Sequence, residues 1–232
     1  MTIDLNVDLG EGSPHDAVLM SVASSVNIAC GGHAGDMASM DQAIAMALGQ
    51  GLSLGAHPSF PDRAHFGRRH HADPPPGLAD ILSEQVEAFN ARCQATGASL
   101  HHIKPHGALY NQAHQDERFA AAIVEAHPSR EVFLYGLPGG ELEKAARQAG
   151  IPFAGEGFID RGYQADGSLV ARGQEGAVIS DPDQAARQAL ALCHAGTVRT
   201  LCVHSDSEDA LELLEFVRKR LAREGIAIAP FS

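Results

Sequence analysis

Residues able to do chemistry recur at the ends of short apolar runs in this chain. Asn6, Asp8 and Glu11 follow the run at 3–7, Asn27, Cys30 and His33 the run at 26–29, and His57 the run at 52–56. Lys104 and His106 end the run at 100–104, Glu156, Asp160 and Arg161 that at 152–156, and His204 and Asp206 that at 199–203. Any loop is polar, but this many runs ending in ionisable groups points to a shared site. Imidazoles and carboxylates together can activate water or ligate zinc or a similar divalent ion. His33, His57, His106 and His204 with Asp8 could supply such ligands from separate strands, since no H-E-x-x-H and no cysteine cluster occurs.

Lys104 stands out by scarcity. The other lysines, Lys144 and Lys219, lie in charged helical patterns, whereas Lys104 sits in the apolar strand Leu-His-His-Ile-Lys-Pro-His, where alternation groups it with His102 and His106. Held there, it can present a fixed cation to a carboxylate or phosphate, or act as an acid or base with a lowered pKa. A lysine reaching out of a strand end would look the same. In the first run the period of two sets Ile3, Leu5 and Val7 on one face and Asp4, Asn6 and Asp8 on the other. The polar face belongs either to a solvent-exposed edge strand or to the mouth of a functional site.

These residues need elements to position them. Strand-like runs lie at 3–7, 26–29, 52–56, 100–104, 131–135, 152–156, 199–203 and 226–229. Between them, segments 37–48, 78–95, 118–126, 140–149, 183–195 and 209–224 carry apolar residues at helical spacing. Gly51, Gly97, Gly150 and Gly225 follow helical runs as C-terminal caps. Alternating strands and helices imply a parallel sheet with right-handed crossovers. At 232 residues the expectation is an α/β chain forming one β/α barrel domain over 1–232, with seven or eight parallel strands. An open doubly wound sheet is the alternative. The polar, proline-rich stretch 58–77 is long enough to serve as a lid or binding loop.

Composition excludes several functions. Seventeen basic against 29 acidic residues give a net charge of -12, with no basic patch interleaved with aromatics, so nucleic acid is not an expected partner. No stretch approaches the roughly 20 apolar residues of a membrane helix, so no membrane is expected. The first residues resemble no secretory signal, which makes the cytoplasm the expected location. Cys30, Cys93, Cys193 and Cys202 are far apart with no C-x-x-C pair and read as reduced core thiols. No phosphate loop, no G-x-G-x-x-G after a strand and no G-x-S-x-G elbow occurs, so nucleotide chemistry would need another platform.

Six ordered stretches extend this reading: Asp-Leu-Asn-Val-Asp-Leu-Gly-Glu (4–11), Asn-Ile-Ala-Cys-Gly-Gly-His-Ala-Gly-Asp (27–36), Gly-Ala-His-Pro-Ser-Phe-Pro-Asp (55–62) with Phe-Gly-Arg-Arg (66–69), Ile-Lys-Pro-His-Gly-Ala-Leu-Tyr-Asn (103–111), Asp-Arg-Gly-Tyr (160–163) with Leu-Val-Ala-Arg (169–172), and Cys-Val-His-Ser-Asp (202–206). Together they resemble the LamB/YcsF family from residue 3 to about 229. The chain departs from the family pattern at Gly32, Met37, His65, Ile159 and Ser205, where Phe, Pro, Gly, Ala and Gly are expected, and keeps the ionisable positions.

The resemblance implies an irregular barrel similar to the polysaccharide deacetylase type. It also implies the A subunit of an ATP-dependent 5-oxoprolinase, which with two partner subunits, of B and C type, hydrolyses the lactam of 5-oxo-L-proline to L-glutamate. ATP would bind on this chain or on a partner. Asp8, Glu11, Lys104 and His106 are then the expected catalytic residues, with Asp8 and His106 as a base pair for water. Asn6, Arg68, Arg161, His204 and Asp206 are expected to bind substrate, Lys104 and Arg161 serving as cations for carboxylate or phosphate. Asp8, His33 and His57 are the candidate ligands of a divalent metal. The competing readings are a stand-alone metal-dependent amide hydrolase or deacetylase, and a substrate-binding subunit without chemistry of its own.

Overall fold

The apolar runs become the strands β1 (Thr2–Leu9), β2 (Ser25–Ala29), β3 (Ser53–His57), β4 (Leu100–Ile103), β5 (Phe133–Gly136), β6 (Phe153–Phe158), β7 (Thr200–Val203) and β8 (Ala227–Ile228) in a computed structural model that describes residues 1–204 and 210–231. All pair in parallel in the order β2-β3-β4-β5-β6-β7-β1-β8, and a further β1–β2 pairing closes seven strands into a barrel. β8 pairs with Thr2 and Ile3 outside that ring. Closure excludes the open sheet. It also removes the edge-strand reading of β1, which is paired with β7 at Asp4–Val7 and with β2 at Asn6–Leu9.

Helices α1 (Asp16–Met20), α2 (Met37–Gly49), α3 (Leu78–Ala95), α4 (Gly107–Gln115), α5 (Glu117–Glu125), α6 (Glu141–Ala149), α7 (Pro182–Ala195) and α8 (Ala210–Arg223) connect the strands. Their limits follow local chemistry. Asp36 caps α2 by accepting from the Ser39 amide, and Asp181 with Pro182 opens α7. Gly150 ends α6 in the left-handed conformation, at φ 71°. α1 and α4 are additions to the elements expected from sequence: α1 is five residues long, and α4 mixes apolar Ala108 and Leu109 with polar Asn111, Gln112 and His114.

The apolar core lies outside the barrel wall. Ile3, Leu5, Val7 and Leu9 of β1 join Leu82, Val86 and Phe89 of α3 and Leu213, Leu214, Val217 and Leu221 of α8 in one buried cluster. The inner face is polar, unlike the branched apolar layers that fill most parallel barrels. Asp4, Asn6 and Asp8 are all buried on it. At the bottom, Asp4 accepts from the hydroxyls of Ser24 (2.6 Å), Ser25 (2.7 Å), Thr200 (2.6 Å) and Tyr135 (3.3 Å). Four donors from three segments keep one buried carboxylate solvated by protein.

The register between β3 and β4 jumps from Leu54↔Leu100 to Gly55↔His102, which leaves His101 as an extra residue in β4. The bulge turns His102 and Lys104 into the barrel. Gly55 makes room for this, since a β-carbon there would run into the His102 imidazole, which stacks on Tyr135 with ring centroids 3.9 Å apart. Gly55→Ala is therefore expected to destabilise the fold by about 1–3 kcal/mol through overpacking, read as a lower urea midpoint at unchanged m-value. An unchanged midpoint would show that His102 has another position available.

Candidate active site

A cavity of about 420 Å3 opens at the C-terminal ends of the strands. Asp8, His57, Lys104 and His106 line it from the barrel, Arg68 and His70 from the 58–77 loop, Tyr110 and Asn111 from α4, and Arg161 and Arg172 from the β6–α7 connection, with His204 at the end of β7. The loop expected to serve as a lid does wall the cavity. The connection at 159–181, which shows no periodicity in the sequence, walls it too and is braced by antiparallel bridges Arg161↔Val178 and Tyr163↔Leu169. Asp206 lies outside the described residues.

Lys104 occupies the centre of the barrel at 2% exposure. Its Nζ donates to Asp8 Oδ1 at 2.9 Å and Asn6 Oδ1 at 3.2 Å, lies 3.0 Å from Glu156 Oε1, and contacts Cys202 Sγ at 2.9 Å. Burial alone would lower the lysine pKa, but Asp8, Cys202 and Glu156 outweigh it and hold the ammonium well above its ordinary range. Lys104 is thus held toward its charged form by two carboxylates within 3.0 Å, which favours the fixed cation over an acid or base with a lowered pKa. Asp8 is the reciprocal case: burial favours its protonated form, yet His57, Lys104 and His204 hold the carboxyl well below the usual range.

Asn6 and Asn27 set the geometry beneath. The Asn6 amide donates to Glu156 Oε1 (2.9 Å) and Thr200 Oγ1 (2.7 Å), which aims its oxygen at Lys104. Asn27 spends its two N–H groups on Asn6 Oδ1 (2.7 Å) and Asp8 Oδ1 (2.8 Å), so its own oxygen accepts from His102 Nε2, 2.7 Å away. Asn6, expected to bind substrate, is fully buried in this layer and fixes the groups above it.

A second constellation joins Glu11, His33, His57 and His106, whose potential ligand atoms lie within 4.8 Å of one another and could hold a metal ion. The His33 and His106 rings stack in parallel at 3.6 Å, with His57 perpendicular to both. Burial lowers the pKa of His33 and takes that of His57 down to about 3. Burial raises the Glu11 pKa, but the neighbouring side chains of His106 and His33 outweigh it and hold the carboxyl well below its ordinary range. Two of the three expected ligands are here. Asp8 stands beside the cluster, 3.5 Å from His57 Nε2 and engaged with Lys104. Asp8 and His106, expected as a pair, each contact His57, which stands between them.

The departure at Gly32 has a local explanation. A β-carbon there would strike Ser59 Oγ and Gln85 Oε1, and Gln85 accepts from the Ser59 amide (3.1 Å) while Ser59 Oγ holds His33 Nδ1 (2.9 Å). On the opposite wall, Asp160 Oδ2 accepts from the His204 amide (3.1 Å) and lies 2.9 Å from His204 Nδ1. Burial raises the Asp160 pKa, but His204 draws it below the ordinary value. This dyad was not read from the sequence, although both residues end strands. Arg161 donates to Ala177 O (2.9 Å) and Val170 O (2.7 Å), so it shapes the 159–181 wall while lining the cavity. Cys202 and the other three cysteines are buried free thiols. Among the described residues no helix is long and apolar enough to cross a membrane.

Comparison with known proteins gives this geometry a context. The model of the LamB/YcsF family matches residues 3–232. The solved lactam utilization protein from Thermus thermophilus is 37% identical, with all of both chains covered and a TM-score of 0.90. The catalytic domain of a peptidoglycan N-acetylglucosamine deacetylase from Eubacterium rectale shares the fold at 13% identity and a TM-score of 0.59, covering 100% of this chain and 88% of that one. The barrel is thus of the polysaccharide deacetylase type, as expected.

Removing the central cation tests the network directly. Lys104→Met leaves Asp8 and Glu156 buried without their partner, and a loss of about 3–5 kcal/mol is expected in urea unfolding at neutral pH. A loss under about 1 kcal/mol would mean that the carboxylates take up protons or water at little cost.

Proposed function

The chain belongs to the LamB/YcsF family, and on that basis we propose that it is the A-type subunit of an ATP-dependent 5-oxoprolinase. With two partner subunits, of B and C type, it opens the lactam of 5-oxo-L-proline to L-glutamate in the cytoplasm. The observation that carries this reading is the cation-lined cavity seated on the Asp8–Lys104 pair. The 37% identity to a lactam utilization protein supports it.

The chemistry asks for these groups. A five-membered lactam is an unstrained amide whose opening at neutral pH needs coupling. Phosphoryl transfer from ATP to the amide oxygen yields ADP and an imidoyl phosphate, an electrophile that water can attack. Water adds to the ring carbon, the C–N bond breaks as nitrogen takes a proton, and γ-glutamyl phosphate results. A second water releases phosphate and leaves glutamate. The chain carries no phosphate loop, so in this reading ATP binds on the partner subunits.

Lys104 and Arg161 meet the substrate carboxylate and phosphoryl oxygens, with Arg68 at the rim. Asp8, ionised and beside His57, orients the attacking water, and His106 on the same wall completes its surroundings. With Nδ1 held by Asp160, His204 turns Nε2 to the cavity and delivers the proton to the leaving nitrogen. Two carboxylates thus have different work: Asp8 faces water, and Asp160 fixes the tautomer of an acid.

Glutamate release from 5-oxoproline, measured for this chain alone and with both partners, with and without ATP, tests the proposal. ATP-dependent release requiring all subunits is expected. Asp8→Asn and His204→Gln should each lower kcat by about 100-fold or more in the complex, with circular dichroism unchanged. Release without ATP or partners would instead indicate the stand-alone amide hydrolase or deacetylase. Full activity of both variants would indicate a substrate-binding subunit.

A further inference from the structure

The outer sides of the histidine cluster reveal what its inner side must hold. Lys104 O lies 2.6 Å from His57 Nδ1 and Phe66 O lies 2.9 Å from His106 Nε2. Carbonyl oxygens only accept, so those two ring nitrogens carry the hydrogens. With one hydrogen on each ring, the outer one, a lone pair is left facing inward, where His57 Nε2 and His106 Nδ1 stand 3.0 Å apart. Ser59 gives its hydroxyl hydrogen to Phe60 O (3.0 Å), so His33 Nδ1 donates to Ser59 Oγ and His33 Nε2 is a lone pair as well. Glu11 Oε1 closes the group at 2.9 Å from His33 Nε2, 3.3 Å from His106 Nδ1 and 3.7 Å from His57 Nε2.

Four electron-pair donors facing one point in a buried wall repel one another unless a cation lies among them. We propose that Glu11, His33, His57 and His106 form a metal centre for a divalent transition ion of the zinc class. Three imidazoles and one carboxylate suit such an ion, whereas magnesium and calcium take six or more oxygens. A four-coordinate ion about 2.0–2.1 Å from each ligand spaces the ligand atoms about 3.3 Å apart. Four of the six separations, 2.9, 3.0, 3.3 and 3.7 Å, surround that value, and all six lie within 4.8 Å. The outer hydrogen bonds to Ser59, Lys104 and Phe66 are what metal-bound imidazoles require to fix tautomer and ring direction. Gly67, at φ 62°, lets the loop close over the rings, since a β-carbon there would lie 3.0 Å from His33 and His106 atoms.

This assignment stands apart from the lactam reading and is measured without substrate or partners. The full chain, stripped with a chelator, is titrated with Co2+. A visible d–d spectrum of a four-coordinate centre should saturate near about one equivalent and vanish on addition of Zn2+. Glu11→Gln and His33→Gln should each abolish that spectrum, and Asp8→Asn should keep it. Ser59→Ala retains every ligand and should weaken cobalt affinity by about 10-fold or more. Failure of the natively folded wild-type chain to bind cobalt or zinc, with 15N shifts showing an imidazolium at His106, would make the buried cation a proton and overturn the proposal. Unchanged metal affinity in the Glu11 and His33 variants would overturn it as well.

Discussion

Lys104 is the constraint around which the barrel interior is arranged. A buried ammonium costs several kcal/mol unless anions and further acceptors surround it. This one has Asp8 and Glu156 as anions and Asn6 as acceptor, contributed by β1 and β6. Each partner then needs satisfaction of its own. Asn6 also serves Glu156 and Thr200, Asn27 serves Asp8, and His102 serves Asn27. The network therefore passes from strand to strand around the inside of the barrel. Every member makes the position of the next one costly to change.

Such an interior trades stability for fixed geometry. Apolar side chains of similar volume would fill the barrel at lower desolvation cost, as the apolar residues between the wall and its helices do. What the polar filling provides is a floor whose charges cannot drift. Asp8 is held from two sides, by Lys104 at 2.9 Å and by Asn27 at 2.8 Å, with its other oxygen toward His57. A carboxylate fixed in this way meets a water or substrate without reorganising first, which is where electrostatic catalysis gains most.

The sequence made the wall legible and left much of the interior hidden. α3 runs from Leu78 to Ala95 as its apolar spacing indicates, because Leu82, Val86, Phe89 and Cys93 form one stripe against the sheet. α4 escaped because its helix begins at Gly107 and carries polar residues that face the cavity, so its pattern reports the site more than the core. The strand-end residues were legible as a set through alternation and position. Their partners were not, since His57 meets His106, and Lys104 meets Glu156, only when the ring closes and the bulge at His101 sets the inward face of β4. That Glu11 and His106 gather with His33 and His57 in one cluster, and that Asp160 partners His204, depend on that same closure.

Charge placement connects this interior to the proposed chemistry. The chain carries a net charge of -12, yet among the described residues the charged side chains lining the cavity are Lys104, Arg68, Arg161 and Arg172 against Asp8. In the proposed reading an anionic substrate is drawn to this cavity, whose low-dielectric walls focus the field of its cations. Lys104 is matched there by the carboxylates of Asp8 and Glu156, so the guanidinium groups at the rim do the capturing. In the proposed reaction the buried lattice then holds fixed the carboxylate beside which the captured substrate reacts.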